Sequence, residues 1–305
     1  SSLQATRQKV ATKATRIGGA WLSMALDATG LARRDAAMLA IISPAKKLDV
    51  EPLGKARQKL ALSEPELLAD AVMVHAAAKK LTAKKVAELM DLSEQLAELN
   101  FDRFAAWQAR HALGVNDAKP AALMFAGDVY TGLDAPSLDD KALTYGQDHL
   151  VILSGLYGAL RPLDLIQPYR LEMGSKLVVK RGKVAAKDLY TFWGDRVAAV
   201  IERRLAEHKE RAIVNLASSE YMKVARKHLT SPVLDVTFKE VKDGKPVALM
   251  LFAKRARGMM ARFILEDRVD RLAGLKDFGS DDYAFDAALS SETDWVFTRP
   301  YRTVA

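Results

Sequence analysis

The chain of 305 residues contains no cysteine. This absence excludes disulfide bonds, cysteine-ligated zinc and iron–sulfur centres, thiolate peroxidases and thiol-based redox sensors. A protein without cysteine is compatible with a reducing compartment, and we therefore predict a cytoplasmic location.

Signatures of several other protein classes are also missing. The sequence has no run of about 18 uncharged apolar residues and no secretory h-region, so we expect no membrane partner. Neither a G-x-G-x-x-G motif nor a Walker loop occurs, which argues against a nucleotide cofactor. The histidines show no i, i+3 or i, i+4 spacing that would favour a metal site; they are His75, His111, His149, His208 and His228. We predict no cofactor and no bound metal.

The formal charge of +8 is unevenly distributed, because +4 of it lies in residues 1–37. The remaining +4 is a mild excess that does not by itself indicate nucleic acid, so clustering of cations has to carry that argument. The composition of residues 1–37, rich in Arg, Thr, Ser and Ala, imitates an organelle transit peptide, although an upstream start site explains it as well. We expect an N-terminal extension over residues 1–37, peripheral to a domain over residues 38–305.

Apolar patterning predicts one mixed α/β domain, since half the residues are apolar and no linker or repeat divides the chain. Continuous apolar runs predict strands covered on both faces at residues 38–42, 121–125, 150–153 and 212–216. Helices are expected at residues 64–80, with a capping box from Ser63 and Glu66, at residues 188–208, and at residues 253–267. Alternating strands around Asp243-Gly244 predict a hairpin over residues 236–252.

Residues 153–174, L-S-G-L-Y-G-A-L-R-P-L-D-L-I-Q-P-Y-R-L-E-M-G, form the most informative segment. A buried strand that leads into glycines, prolines and charges usually ends at a site, because glycine lets the main chain approach a ligand closely. An ordinary tight turn with solvated arginines remains the alternative.

Loop-borne cations follow strand ends or glycines, where an α/β sheet exposes its ligand crevice. They are Lys46, Lys47, Arg161, Arg170, Lys223, Lys254, Arg255, Arg257 and Arg262. If they share a cleft, they form a groove for a phosphate backbone. Aromatic side chains that could stack on an unpaired base are Tyr130, Tyr157, Tyr169 and Trp193. The alternative is that the cations pair with acids in buried networks, the candidates being Asp128, Asp164, Glu172 and Glu220.

Within residues 81–113, the stretch 92–104 resembles a helix-hairpin-helix, a unit that offers hairpin amides to a phosphate. Such hairpins normally carry Gly-hydrophobic-Gly, whereas this chain has Glu98-Leu99-Asn100, which puts a negative charge where phosphate should lie. A helical corner packed by Leu96, Leu99, Phe104 and Trp107 is the alternative.

Six sequence blocks in a fixed order resemble the YaaA family of bacterial peroxide-stress proteins. They are residues 42–49 (I-S-P-A-K-K-L-D), 127–133 (G-D-V-Y-T-G-L), 153–174, 189–195 (L-Y-T-F-W-G-D), 215–221 (N-L-A-S-S-E-Y) and 253–258 (A-K-R-A-R-G), and the likeness spans residues 38–299. Ala126 stands where the family often has lysine, so this groove has one cation fewer.

This resemblance implies the compact cantaloupe fold and a DNA-binding protein of the peroxide stress response. Such a protein would bind duplex or distorted DNA and limit the damage caused by iron and peroxide. Because no thiol exists, protection has to act through binding, or through iron or DNA chemistry. We expect a monomer.

A DNA-processing enzyme is the alternative function. A lysine amine near a carboxylate can attack a sugar carbon, as in base-excision lyases, and Lys46 with Asp128 is the first pair to test. An iron site formed by Asp128, Asp164, Glu172 and Glu220 is a further possibility that ion pairing of these acids would remove.

Overall fold

A central sheet organises the part of the chain that the computed structural model describes, residues 38–208 and 211–302. Its strands are β1 (Leu39–Ile42), β5 (Leu150–Ser154), β6 (Gly158–Leu160), β10 (Ile213–Asn215), β11 (Val233–Lys242), β12 (Lys245–Val247), β13 (Ala284–Phe285) and β14 (Asp294–Pro300). Shorter two-stranded ladders are formed by β2 (Lys47–Leu48) with β4 (Phe125–Ala126), β3 (Lys119–Pro120) with β7 (Leu165–Ile166), and β8 (Val179–Arg181) with β9 (Val184–Ala186). The expected N-terminal extension over residues 1–37 lies outside the described residues.

The strand order β13-β14-β11-β10-β1-β5-β6, with β12 beside β11, decides where a ligand crevice can form. The five central strands, β5-β1-β10-β11-β14, are all parallel to their neighbours. Numbered along the chain, they follow the order 2-1-3-4-5. The direction of the connections therefore reverses between β1 and β10, and in such sheets ligands bind at this switch point, outside the carboxyl ends of the strands.

Three of the four predicted strands are confirmed. Strands β1, β5 and β10 are buried at every residue, as expected for strands covered on both faces. The strand predicted at residues 121–125 is wrong, because residues Ala121–Met124 form a short helix before β4. A short apolar run does not distinguish a buried strand from a buried helical turn.

Ten α-helices occur in the described residues. They are α1 (Leu68–Ala78), α2 (Ala83–Met90), α3 (Glu94–Ala106), α4 (Ala121–Met124), α5 (Asp128–Leu133), α6 (Asp140–His149), α7 (Leu189–Trp193), α8 (Arg196–Leu205), α9 (Ser219–Arg226) and α10 (Met250–Glu266). Short 3-10 turns occupy Lys55–Lys59, Val115–Asp117, Ala135–Ser137, Leu272–Asp277 and Ser280–Asp282. Within the described ranges, no helix combines the length and apolar character needed to cross a bilayer.

Two predicted helices are shorter than expected. The helix expected over residues 188–208 is split into α7 and α8 at Gly194, whose φ of 53° interrupts the helical path. The predicted capping box at Ser63 is wrong, because the Ser63 hydroxyl donates to Asp164 and Glu66 pairs with two arginines. Helix α1 accordingly begins at Leu68.

The predicted hairpin at Glu98-Leu99-Asn100 is wrong. Helix α3 runs through these residues without a break, so their amides bond within the helix instead of facing a phosphate. The turn between α2 and α3 lies at residues 91–93, with left-handed Asp91 and the N-cap Ser93. Of the proposed packing residues, Phe104 and Trp107 are buried, whereas Leu96 and Leu99 are exposed.

Helices α5 and α10 cross at two glycines. A Cβ added to Gly258 would overlap the Val129 carbonyl oxygen and lie 2.7 Å from the Leu133 nitrogen, and one added to Gly132 would lie 2.9 Å from the Met259 nitrogen. The two backbones therefore touch directly, which fixes α10 against the body of the domain. The Asp243-Gly244 hairpin between β11 and β12 is confirmed, but β12 has only three residues and α10 begins at Met250.

Candidate functional site

The carboxyl ends of β1 and β10 meet at the switch point through Ser43 and Ser218. The Ser218 N–H donates to the Ser43 Oγ at 2.8 Å, and the two hydroxyl oxygens lie 3.3 Å apart. Ser218 is also the N-cap of α9, whose first turn carries unpaired amides and the positive end of the helix dipole. This switch-point crevice, formed by residues 43–46 and 215–220, is a place where an anion is favoured.

A three-residue charge cluster borders the crevice. Lys46 Nζ lies 3.1 Å from Glu172 Oε1, and Arg170 donates to the same oxygen from Nε at 3.2 Å and Nη2 at 3.1 Å. The Lys46 side chain is 67% exposed, whereas those of Arg170 and Glu172 are each 15% exposed. One carboxylate therefore neutralises part of the local positive charge, and the lysine remains accessible.

Lys46 and Asp128 lie on adjoining segments, because Lys47 pairs with Ala126 in the β2–β4 ladder, but they form no ion pair with each other. Asp128 is the first residue of α5 and forms no ion pair with any residue in the described ranges, while Lys46 binds Glu172. An exposed, ion-paired lysine also lacks the desolvated surroundings that activate an amine as a nucleophile.

Glu220 joins the segment after β7 to α9. Its Oε1 accepts from the Gly174 N–H at 3.0 Å, and its carbonyl oxygen accepts from the Tyr190 hydroxyl at 2.9 Å. Lys223 lies over the Tyr190 ring, 4.7 Å from the centroid, in a cation–π contact. Burial and the Glu220 carboxylate raise the pKa of Tyr190. Tyr190 and Lys223 thus form a mixed aromatic and cationic rim beside the crevice.

The aromatic residues predicted to stack on a base are buried, so that role is contradicted for Tyr130, Tyr157, Tyr169 and Trp193. Instead, the Tyr130 hydroxyl donates to the Ser43 carbonyl, and the Tyr169 hydroxyl lies 2.6 Å from the Ser154 Oγ. Burial raises the pKa of Tyr130, Tyr157 and Tyr169, which keeps their hydroxyls protonated. Tyr130 therefore supports Ser43 from within the core, and Tyr169 supports the carboxyl end of β5.

Arg161 lies at the opposite edge of the sheet. Strand β6 is antiparallel to β5, with Leu160 level with Ile152, so the chain leaves β6 towards the amino end of β5. There Arg161 pairs with the buried Asp164, whose pKa is raised by burial. The prediction that Arg161 shares the cleft is therefore wrong.

The remaining predicted cations divide between free and structural roles. Lys47 on β2 and Arg255 on α10 are exposed, and Lys254 is half-buried. Arg262 donates to the backbone of Leu133 and Asp134 and pairs with Glu266. These contacts hold α10 against α5, and a phosphate contact at Arg262 stays a prediction.

A pocket of about 590 Å³ opens beside the crevice, between α9, β11 and α10. Its cationic lining consists of Lys223, Arg226, Lys227 and Arg257. The sequence prediction included the first and last of these but omitted Arg226 and Lys227. Their i+3 and i+4 spacing from Lys223 puts all three on one helix face and was the signal available in the sequence.

The four acids considered for iron do not converge. Asp164 lies at the amino edge with Arg161, whereas Glu172 and Glu220 bind Lys46 and the Gly174 amide at the other edge. Across residues 38–208 and 211–302, no group of three His, Asp or Glu side chains is arranged to hold a metal ion.

Sequence comparisons give the family. The profile described as peroxide stress protein YaaA matches residues 38–289. A UPF0246 protein from Dinoroseobacter shibae is 48% identical over 269 residues, covering 88% of this chain and 97% of that protein. UPF0246 proteins from Cellvibrio japonicus and Paraburkholderia phytofirmans are 46% and 44% identical, each over 86% of this chain and 98% of the relative. This chain therefore belongs to the peroxide stress protein YaaA family.

Proposed function

We propose that the protein binds duplex or distorted DNA through phosphate contacts along the carboxyl edge of its sheet. The observation that carries the proposal is the accumulation of cations at this edge, from Lys46 and Lys47 after β1 to Lys223 and Lys227 on α9. Among the described residues, Lys47, Lys223 and Lys227 have no carboxylate within ion-pair distance. Exposed, uncompensated lysines are available to release counterions from a phosphate backbone.

The N-terminus of α9 adds a second source of positive potential at the same edge. Ser218 accepts from the Tyr221 amide, and the Ser219 and Glu220 amides belong to the same first turn. Backbone amides bind phosphate oxygens without regard to base sequence. We therefore propose binding that depends on DNA shape and charge rather than on sequence.

The peroxide-stress part of the proposal follows from family membership. Bound protein would shield DNA from iron- and peroxide-dependent damage or limit the iron that reaches it. The proposed compartment is the cytoplasm, as predicted from the cysteine-free sequence.

Salt dependence tests the binding proposal. With four to five phosphates neutralised, the logarithm of the affinity for a duplex should fall against the logarithm of salt concentration with a slope of about −4. Fluorescence anisotropy with a labelled duplex measures this slope. A slope near zero would refute phosphate-based binding.

Paired variants locate the contacts. Replacing Lys223 and Lys227 together with alanine should weaken binding to all sequences alike and reduce the slope by about 2. Arg211→Ala is the control, because Arg211 is exposed just before β10, at the amino edge of the sheet. Equal effects of the two substitutions would contradict the proposed surface.

Borohydride trapping separates binding from catalysis at Lys46. If Lys46 only contacts phosphate, no covalent adduct with abasic DNA forms, and Lys46→Arg binds DNA with modest loss. An adduct that disappears in Lys46→Arg would instead establish a lyase that uses the Lys46 amine, because arginine cannot form the Schiff base.

A further inference from the structure

The pocket between α9, β11 and α10 adjoins the exposed edge proposed to contact DNA phosphates and shares Lys223 and Lys227 with it. Strand β10 ends at Asn215, whereas β11 beside it and β14 beyond β11 continue, and the pocket is lined by residues at this step. Its volume of about 590 Å³ is within the ordinary range for small-molecule sites. A duplex is too wide to enter a pocket of this size, so its lining calls for a smaller occupant.

The cationic wall of the pocket is incompletely neutralised. Arg226 pairs with Asp235, but Arg257 has no ion pair or hydrogen bond among the described residues, and its Nε is buried without a partner. Burial lowers the pKa of Arg257, and the nearby Asp235 carboxylate acts against that change. A buried guanidinium nitrogen without a hydrogen-bond acceptor is costly. An anion in the pocket would supply those acceptors.

The other lining residues offer contacts that a bare anion would not use. Met222 and Val236 provide apolar surface, and Asp235 and Asp294 provide carboxylate acceptors. Asn215 is held in place, since its Nδ2 donates to Asp235 at 2.6 Å and its Oδ1 accepts from the Ala217 amide at 3.0 Å. Apolar surface suits a ring, and carboxylates suit hydroxyl or amino donors. The combination matches a molecule with a phosphate, a flat ring and hydrogen-bond donors.

We infer that this pocket binds a single phosphorylated nucleoside, with the phosphate beside Arg257 and the lysines of α9. The ligand chemistry has two sources, a free mononucleotide or a nucleotide turned out of a DNA duplex. Only the second source depends on the proposed DNA binding.

Calorimetry with free deoxynucleoside monophosphates tests the inference without DNA. We expect each monophosphate to bind at least tenfold more tightly than either the matching deoxynucleoside or inorganic phosphate. Equal affinity for inorganic phosphate, or no monophosphate binding, would overturn the inference.

Two substitutions on one helix locate the phosphate. Arg257→Gln should weaken monophosphate binding by about tenfold or more, as loss of a charged hydrogen-bond donor to an anion does. Arg255→Gln is the matched control, because Arg255 is exposed on the same helix and does not line the pocket. Thermal denaturation of both variants shows whether they are folded. If folded Arg257→Gln binds monophosphates like the wild type, the inference fails. Should it not fold, Lys227→Gln is used, and undiminished binding by that variant also overturns the inference.

DNA with a single-nucleotide bulge distinguishes the two sources. Preferential binding of the bulged duplex, competed by monophosphates and lost in Arg257→Gln, indicates an extruded nucleotide. Monophosphate binding without that preference supports a free nucleotide as the ligand. If monophosphates bind but no DNA does, the inference stands and the proposed function fails; if only DNA binds, without a bulge preference, the reverse holds.

Discussion

Replacing Gly258 with alanine tests whether the contact between α5 and α10 is as rigid as the backbone positions indicate. The added methyl carbon would overlap the Val129 carbonyl oxygen. It would also lie 2.8 Å from the Val129 carbonyl carbon and 2.7 Å from the Leu133 nitrogen. Comfortable carbon contacts need about 3.5 Å or more. Since the opposing atoms are backbone, no side-chain rotation relieves the overlap, and the helices have to separate.

The expected loss follows from two opposing effects. Overpacking in a core costs about 1–3 kcal/mol, and occasionally more, whereas alanine in a helix interior gains about 1 kcal/mol over glycine. Because the overlap is with main chain, we place the overpacking cost at or above the upper end and expect the free energy of unfolding to fall by about 2–3 kcal/mol. For a domain of this size, that corresponds to a decrease of roughly 4–12 °C in Tm.

Circular dichroism melts of Gly258→Ala, Gly146→Ala and the wild type measure this difference. Gly146 is the matched control within α6, because its added Cβ would meet only side-chain atoms, Leu265 Cδ1 and Pro162 Cγ, each at 3.3 Å. We expect Gly146→Ala to change stability by less than about 1 kcal/mol. If Gly258→Ala melts with the wild type, or no lower than Gly146→Ala, the reasoning about backbone contact is refuted.

Three further perturbations follow from the rest of the chain. Arg299→Met should lower the free energy of unfolding by about 3–5 kcal/mol in urea denaturation, because it leaves the Glu240 carboxylate, 1% exposed, without its ion pair at 2.8 Å; an unchanged midpoint would contradict this. Burial lowers the pKa of His75 and of His111, so the native state keeps both neutral. The unfolded chain binds their protons first, and stability should therefore fall as pH decreases below about 6.5, by up to about 1.4 kcal/mol per pH unit for each. His111→Gln should flatten that slope in melts between pH 7 and pH 5, and an identical slope would count against the cause. If residues 1–37 are peripheral, as the sequence predicts, their deletion should leave Tm within about one degree, whereas a fall of many degrees would refute that prediction.

Local features could be predicted from the sequence. The buried strands β1, β5 and β10 follow from continuous apolar runs, and the Asp243-Gly244 turn follows from backbone preferences. His75 shares the helical apolar pattern of Leu68, Val72 and Ala76, and it is buried with its Nε2 bonded to the Phe104 carbonyl. In each case, residues within one turn or one strand supply the determining interaction. The six sequence blocks likewise predicted membership of the YaaA family, since the order of motifs along the chain can be read from the sequence alone.

The composition of the candidate site was decided by tertiary structure. The direction of β6 placed Arg161 at the amino edge of the sheet, and tertiary packing brought Glu172 to Lys46 as its ion-pair partner. Whether Tyr157 faces solvent or the core depends on what packs over it, which no local pattern records. Sheet order and long-range packing are set by contacts between segments far apart in sequence. The sequence therefore predicted which residue types a site could contain. Which of these residues lie close together was decided by the pairing of β1 with β10.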